Sequence, residues 1–97
     1  MLNLVWTEVA LGDLDTIITY IAEHNLDAAL QLQLAIEACA ERLPEHPYMY
    51  RPGKVAGTRE AVVHPNYLLI YEVHIDTVEI MRVVHSRQEY PPGEVMD

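Results

Sequence analysis

The chain is poor in the residues that build cross-links, metal centres and membrane spans. Its one cysteine, Cys39, excludes an intrachain disulfide and favours a cytoplasmic location. No apolar run approaches the roughly 18 residues of a membrane-spanning helix, and early acidic residues argue against a signal peptide. Glycine-rich phosphate loops and Cys-x-x-Cys pairs are absent, and no two of the five histidines form a His-x-x-x-His pair. We therefore expect no membrane association, no metal site and no cofactor.

Positive charge is also scarce. Six lysines and arginines face fifteen aspartates and glutamates, which gives a net charge of −9 with histidine neutral. A field of this sign repels phosphate backbones at long range and argues against independent DNA binding. The segment from His46 to Arg59 contains no acid, and it holds Arg51, Lys54 and Arg59. These bases form either one local basic patch or a set of scattered, solvated charges.

The apolar pattern is typical of one small globular domain over residues 1–97, with 51 % hydrophobic and 22 % charged residues. Residues 2–6 suit a short strand, and Thr7 can cap the helix that follows. A second helix is predicted from about Ala28 to Leu43, with Asp27 as its cap. The short link at residues 25–27 predicts an antiparallel helical hairpin. The inner faces hold Ala10, Leu14, Ile17, Ile18 and Ile21 in the first helix and Ala29, Leu32, Ile36, Cys39, Ala40 and Leu43 in the second.

Prolines and glycines predict a loop over residues 44–58. Three strand-like runs follow, at residues 59–64, 67–74 and 77–85, and the tight turns between them predict antiparallel hairpins. Residues 92–97 are expected to form a loose tail. The predicted fold is α+β, with a helical hairpin packed on one face of a small, mainly antiparallel sheet in the order β-α-α-β-β-β.

Chemistry is expected where basic and titratable side chains converge. The candidate set comprises Arg51, Lys54, Arg59, His64, Arg82, His85, Arg87 and Tyr90. If Arg59 meets Arg82 or His85, the cleft would suit cleavage of an RNA backbone. Cations would stabilise the phosphorane charge, and His85, which titrates near neutrality, would transfer a proton. The alternative is structural, with the two arginines paired to Glu60, Glu72 or Glu79.

Several short motifs are weak signals individually, but their order and spacing along the chain are specific for a protein family. RPGKVAGTRE at residues 51–60 leads into VVHPNYLLIY at 62–71, and VVHSRQ at 83–88 follows. Trp6, Asp13-Leu14 and Tyr20-Ile21-Ala22 precede them at fitting distances. Over about residues 2–92 this arrangement resembles the RelE/ParE superfamily of toxins from type II toxin–antitoxin, or plasmid stabilisation, modules.

The resemblance implies a cytoplasmic, growth-arresting toxin that is neutralised by a cognate antitoxin. Antitoxins of this kind wrap a helix and an extended segment around the toxin. Leu30 and Leu34, which lie beside the inner stripe of the second helix, would suit such a partner, or they could belong to the core.

The superfamily divides by target. RelE-like members cut mRNA in the ribosome without a metal, and the resemblance then makes Arg59, Arg82, His85 and Tyr90 the catalytic candidates. ParE-like members inhibit DNA gyrase and need no nuclease site. Arg51, Lys54 and Arg87 are candidate target-binding residues in either case. A charge of −9 opposes docking on ribosomal phosphate and favours the ParE-like target. An inactive, antitoxin-bound member is a third alternative.

Overall fold

Two helices cover one face of a five-stranded sheet in a computed structural model, which describes residues 1–88 and 90–91. The elements are β1 (Asn3–Trp6), α1 (Glu8–Ala22), α2 (Leu26–Arg42), β2 (Arg51–Pro52), β3 (Thr58–His64), β4 (Tyr67–Val73) and β5 (Thr77–His85). The predicted α+β class and the helical hairpin are confirmed. Neither helix in the described part of the chain is long and apolar enough to cross a membrane.

Side-chain caps set where both helices begin. The hydroxyl of Thr7 accepts from the amide of Ala10 at 3.0 Å, as expected for the cap of α1. The predicted cap of α2 is wrong. Asn25, not Asp27, is extended and accepts from the amide of Ala28 at 3.0 Å, so α2 begins at Leu26. Asp27 lies in the first turn, where the helix dipole favours an anion.

The sheet has the strand order β1-β5-β4-β3-β2. The β1–β5 pair is parallel, and the other neighbours are antiparallel. Residues 51–52 were expected to lie in a loop, and this expectation is wrong. Arg51 and Pro52 pair with Glu60 and Arg59 of β3 as the edge strand β2. Two residues are too few for the alternation of side chains to reveal a strand.

The core lies between the hairpin and the sheet. The predicted inner stripe of α2 is confirmed, since each of its six members is at most 6 % exposed. From the sheet, Leu69, Tyr71, Ile80 and Val83 join this cluster. Leu30 and Leu34 are 50 % and 61 % exposed, so the alternative that placed them in the core is wrong. The expected tail at 92–97 lies outside the described residues.

Candidate functional site

Arg82 on β5 is held by an ion pair with Asp13 of α1. Its Nε and Nη2 donate to the two carboxylate oxygens of Asp13 at 2.7 and 3.1 Å. The same carboxylate accepts from the backbone amide of Val83 at 2.9 Å. The pKa of Arg82 is raised, chiefly because its guanidinium donates to Asp13, although burial acts in the opposite direction. The expected ion pair exists, but its acid is Asp13 rather than Glu60, Glu72 or Glu79.

Arg59 contacts Tyr48 and Tyr50 in the segment before β2. Its Nη1 donates to the carbonyl oxygen of Tyr50 at 2.6 Å, and its guanidinium lies 4.9 Å from the centre of the Tyr48 ring. Arg59 pairs in register with Tyr71, which belongs to the helix-facing core.

Arg82 pairs in register with Ile70, the neighbour of Tyr71 on β4. The register shifts between these two residues, so alternation along β4 does not fix the face that Arg82 occupies. Arg59 donates to Tyr50 whereas Arg82 donates to Asp13, so the two guanidinium groups have different partners. The cationic cleft that required Arg59 to meet Arg82 or His85 stays a prediction.

Three aromatic rings lie together at the end of the β4–β5 pair that is away from the connecting turn. The Tyr67 ring lies 5.1 Å from that of His85 and 6.0 Å from that of His64, measured between centres. Nδ1 of His85 accepts from the amide of Arg87 at 3.0 Å, and Nδ1 of His64 accepts from the amide of Asn66 at 3.1 Å. In the neutral rings the proton is then on Nε2. Both neutral imidazoles can donate a hydrogen bond there.

The remaining candidates have different surroundings. Tyr90 lies near Arg82, whose guanidinium carbon is 5.9 Å from the centre of the tyrosine ring. Arg51 donates to Glu60 at 3.0 Å, so part of the predicted basic patch is neutralised. Lys54 and Arg87 are exposed.

Sequence reasoning missed a cluster at the β4–β5 turn. Nε2 of His74 lies 3.3 Å from a carboxylate oxygen of Glu72 and 3.1 Å from one of Glu79. The available signal was a Glu-x-His pair at the end of one predicted strand, with a glutamate early in the next. The search for helical His-x-x-x-His spacing could not detect it.

An open cleft between β1 and the hairpin was also missed. It encloses about 300 Å³, with an apolar floor and two glutamates in its lining. Its lining residues are Leu4, Trp6, Leu11, Leu14, Glu37, Ala40 and Glu41. The apolar residues of this set were predicted only as strand and helix faces. Side-chain periodicity assigns a residue to a face, but it does not show where neighbouring elements leave a cleft between them.

Comparison with known proteins decides the family. The family model described as the ParE toxin of the type II toxin–antitoxin system parDE matches residues 4–90. The chain belongs to the ParE toxin family. Its membership of the RelE/ParE superfamily of type II toxins, expected from the motifs, is confirmed.

Named relatives of the toxin agree with this family. The Y4kP protein of Sinorhizobium fredii is 38 % identical over 87 residues, covering 89 % of this chain and 90 % of the relative. Toxin RelE2 of Caulobacter vibrioides is 37 % identical over 86 residues, covering 89 % and 97 %. The solved structure of the chromosomal ParDE system from P. aeruginosa has a TM-score of 0.77 at 24 % identity, covering 88 % and 96 %. The toxin therefore shares its fold with a ParDE component.

Proposed function

We propose that this toxin acts in the cytoplasm by binding and inhibiting DNA gyrase. The observation that carries the proposal is the engagement of Arg82 by Asp13, with Arg59 engaged by Tyr50 and Tyr48. Phosphoryl chemistry needs cations aimed at the place where transition-state charge develops. A guanidinium neutralised by a carboxylate supplies little of that stabilisation, whereas a protein inhibitor does not need it.

The charge of the toxin supports the same proposal. With a net charge of −9, approach to the dense phosphate of a ribosome is slowed and weakened. A protein target imposes no such penalty over its whole surface. The exposed Lys54 and Arg87, with the partly exposed head of Arg51, are the proposed target-contacting cations.

A ribosome-dependent mRNA endoribonuclease is the second candidate, and the cluster of His64, Tyr67 and His85 favours it. Either imidazole, once protonated, could transfer its Nε2 proton to a leaving oxygen beside the phenol of Tyr67. In that mechanism His85 would be the acid or the base, with Arg59, Arg82 and Tyr90 as its proposed partners. The reaction would need no metal.

One double variant separates the two functions. His64→Gln with His85→Gln preserves an acceptor for each backbone amide but removes both imidazole rings. We expect purified toxin and this variant to inhibit gyrase supercoiling equally, and neither to cleave mRNA in a translation extract. His24→Gln, at an exposed histidine in the link between α1 and α2, serves as the control. Cleavage by the parent that the double variant loses, with supercoiling unaffected, would establish the nuclease instead.

We further propose that a cognate antitoxin covers the outer face of α2. Leu26, Leu30 and Leu34 recur every four residues and are 63 %, 50 % and 61 % exposed. This spacing forms the kind of apolar ridge that a partner helix packs against. The structural relative from P. aeruginosa is itself part of a toxin–antitoxin system.

Paired alanine substitutions test this surface. Leu30→Ala with Leu34→Ala should weaken antitoxin binding about tenfold or more, because a helix-in-groove contact is held by apolar anchors at this spacing. The free energy of unfolding should change by less than about 1 kcal/mol, since both side chains are already exposed. Gln31→Ala, one position from the ridge, is the matched control. Unchanged affinity in the double variant, measured by calorimetry, would place the antitoxin elsewhere.

A further inference from the structure

We propose that Glu72, His74 and Glu79 form a binding site for one divalent transition-metal ion, of which Zn²⁺ is the representative. The three side chains offer one donor atom each, and these atoms lie within 4.8 Å of one another. Two carboxylates and an imidazole form a donor set that suits Zn²⁺ and the neighbouring first-row divalent ions.

The donor spacing fits such an ion. Zinc binds imidazole nitrogen and carboxylate oxygen at about 2.1 Å, so two donors of a tetrahedral site lie about 3.4 Å apart. His74 Nε2 is 3.3 Å from the Glu72 oxygen and 3.1 Å from the Glu79 oxygen. Two of the three donor separations therefore already match a tetrahedral site, and the third is at most 4.8 Å. The side chains are 31–45 % exposed, which leaves water access to the fourth position.

The register of the sheet supplies an independent reason for a cation. Glu72 and Glu79 are direct cross-strand partners on β4 and β5. Like charges directly opposite each other destabilise an antiparallel pair. Within the described residues, His74 is the only basic side chain within 4.0 Å of either carboxylate. A neutral imidazole leaves the repulsion in place, whereas a divalent ion bound to all three groups neutralises both carboxylates.

The site stands on a hydrogen-bonded hairpin. Glu72 and Glu79 belong to paired strands, and the amide of His74 donates to the carbonyl oxygen of Thr77 at 2.7 Å across the turn. Tyr67 and His85 pair at the opposite end of β4, five residues from Glu72. At about 3.3 Å per residue this separation is roughly 17 Å. The metal would therefore join two strands and take no part in the chemistry considered for His64 and His85.

Calorimetric titration of Zn²⁺ into the untagged, full-length chain tests the proposal. We expect saturable binding of one ion per chain. His74→Ala and Glu79→Gln should each weaken binding at least tenfold, since each removes one of three ligands. His46→Ala removes an exposed histidine outside the cluster and should leave the affinity unchanged.

Thermal unfolding gives a second readout that separates metal binding from a mere hydrogen-bonded cluster. Zn²⁺ should raise the unfolding midpoint of the parent and of His46→Ala, and it should leave Glu79→Gln unchanged. In excess EDTA, Glu79→Gln should be at least as stable as the parent, because the Glu72–Glu79 repulsion is gone. Absence of saturable binding, or equal Zn²⁺ affinity in the parent and both ligand variants, would overturn the proposal.

Discussion

At the scale of single residues, the carboxylate of Asp13 links two distant elements of the fold. One carboxylate accepts three hydrogen bonds and joins the first helix to the last strand. The sequence named Arg82 but not its partner, because 69 residues separate the two. Their meeting depends on how α1 crosses β5, which no local pattern records. The catalytic and target-binding roles assigned from sequence stay predictions.

Removing the charge of Asp13 should destabilise the fold. Asp13→Asn leaves the Arg82 guanidinium, 26 % exposed, without its counter-ion and weakens the contact to the Val83 amide. We expect the free energy of unfolding to fall by about 2 kcal/mol, as for hydrogen bonds to charged groups. Urea denaturation measures it. Asp15→Asn, on the exposed side of α1, is the control, and equal losses in both variants would contradict a specific role for the pair.

The hydroxyl of Tyr71 makes the free energy of unfolding depend on pH in the alkaline range. Burial raises its pKa from 10.0 to about 12, and its hydroxyl donates to the carbonyl oxygen of Pro47 at 2.7 Å. The folded state binds this proton more tightly than the unfolded chain does. The stabilisation is therefore complete below pH 10 and is lost as the pH rises towards 12, by at most about 1.4 kcal/mol per pH unit.

Tyr71→Phe tests this dependence. The variant should lose about 1 kcal/mol at neutral pH with its hydrogen bond, and it should show a shallower decline above pH 10 than the parent. Cys39, whose pKa burial also raises, titrates in both proteins and so cancels from the difference. Urea denaturation at several pH values provides the comparison. Tyr48→Phe, at a 66 % exposed ring, should keep the parental slope.

At the scale of elements, side-chain periodicity predicted most of the fold. The inner face of α2 was recognised because six apolar residues recur at helical spacing, and β3, β4 and β5 because turn residues separate alternating runs. Side-chain periodicity gave no signal where an element or boundary involved only a few residues. Strand β2 has two residues, and either of two polar residues could have capped α2.

The corrected start of α2 predicts which capping substitution costs more. Asn25→Ala removes the acceptor for the Ala28 amide and should lower the free energy of unfolding by about 1 kcal/mol. Asp27→Ala removes only a charge near the helix N-terminus and should cost about 0.3 kcal/mol. Chemical denaturation of the two variants gives both values. A larger loss for Asp27→Ala would restore the cap predicted from sequence.

At the scale of the whole molecule, charge was the most useful sequence property and side-chain placement the least predictable. The count of acids and bases needs no structure, and it bears directly on the choice of target. The position of Arg59 relative to Arg82 depends on strand register and on which face each side chain occupies. Neither is encoded in the spacing of residues along the chain.

The charge balance predicts that the free toxin does not bind duplex DNA measurably at physiological salt. Its field is repulsive, and part of its small basic segment is paired with Glu60. Fluorescence anisotropy with a labelled duplex gives the test. Tight binding that weakens steeply as salt is added would show that a local basic surface outweighs the net charge. Weaker DNA binding by Arg51→Ala would then show that Arg51 contributes to that basic surface.

The parallel pairing of β1 with β5 has a consequence for biosynthesis. β1 is synthesised before β5, yet Asn3 pairs with Thr77 and Trp6 with Ile80. During translation β1 therefore stays unpaired until β5 has been made. Such a distant contact slows folding, and a chain interrupted before residue 77 could not complete its sheet.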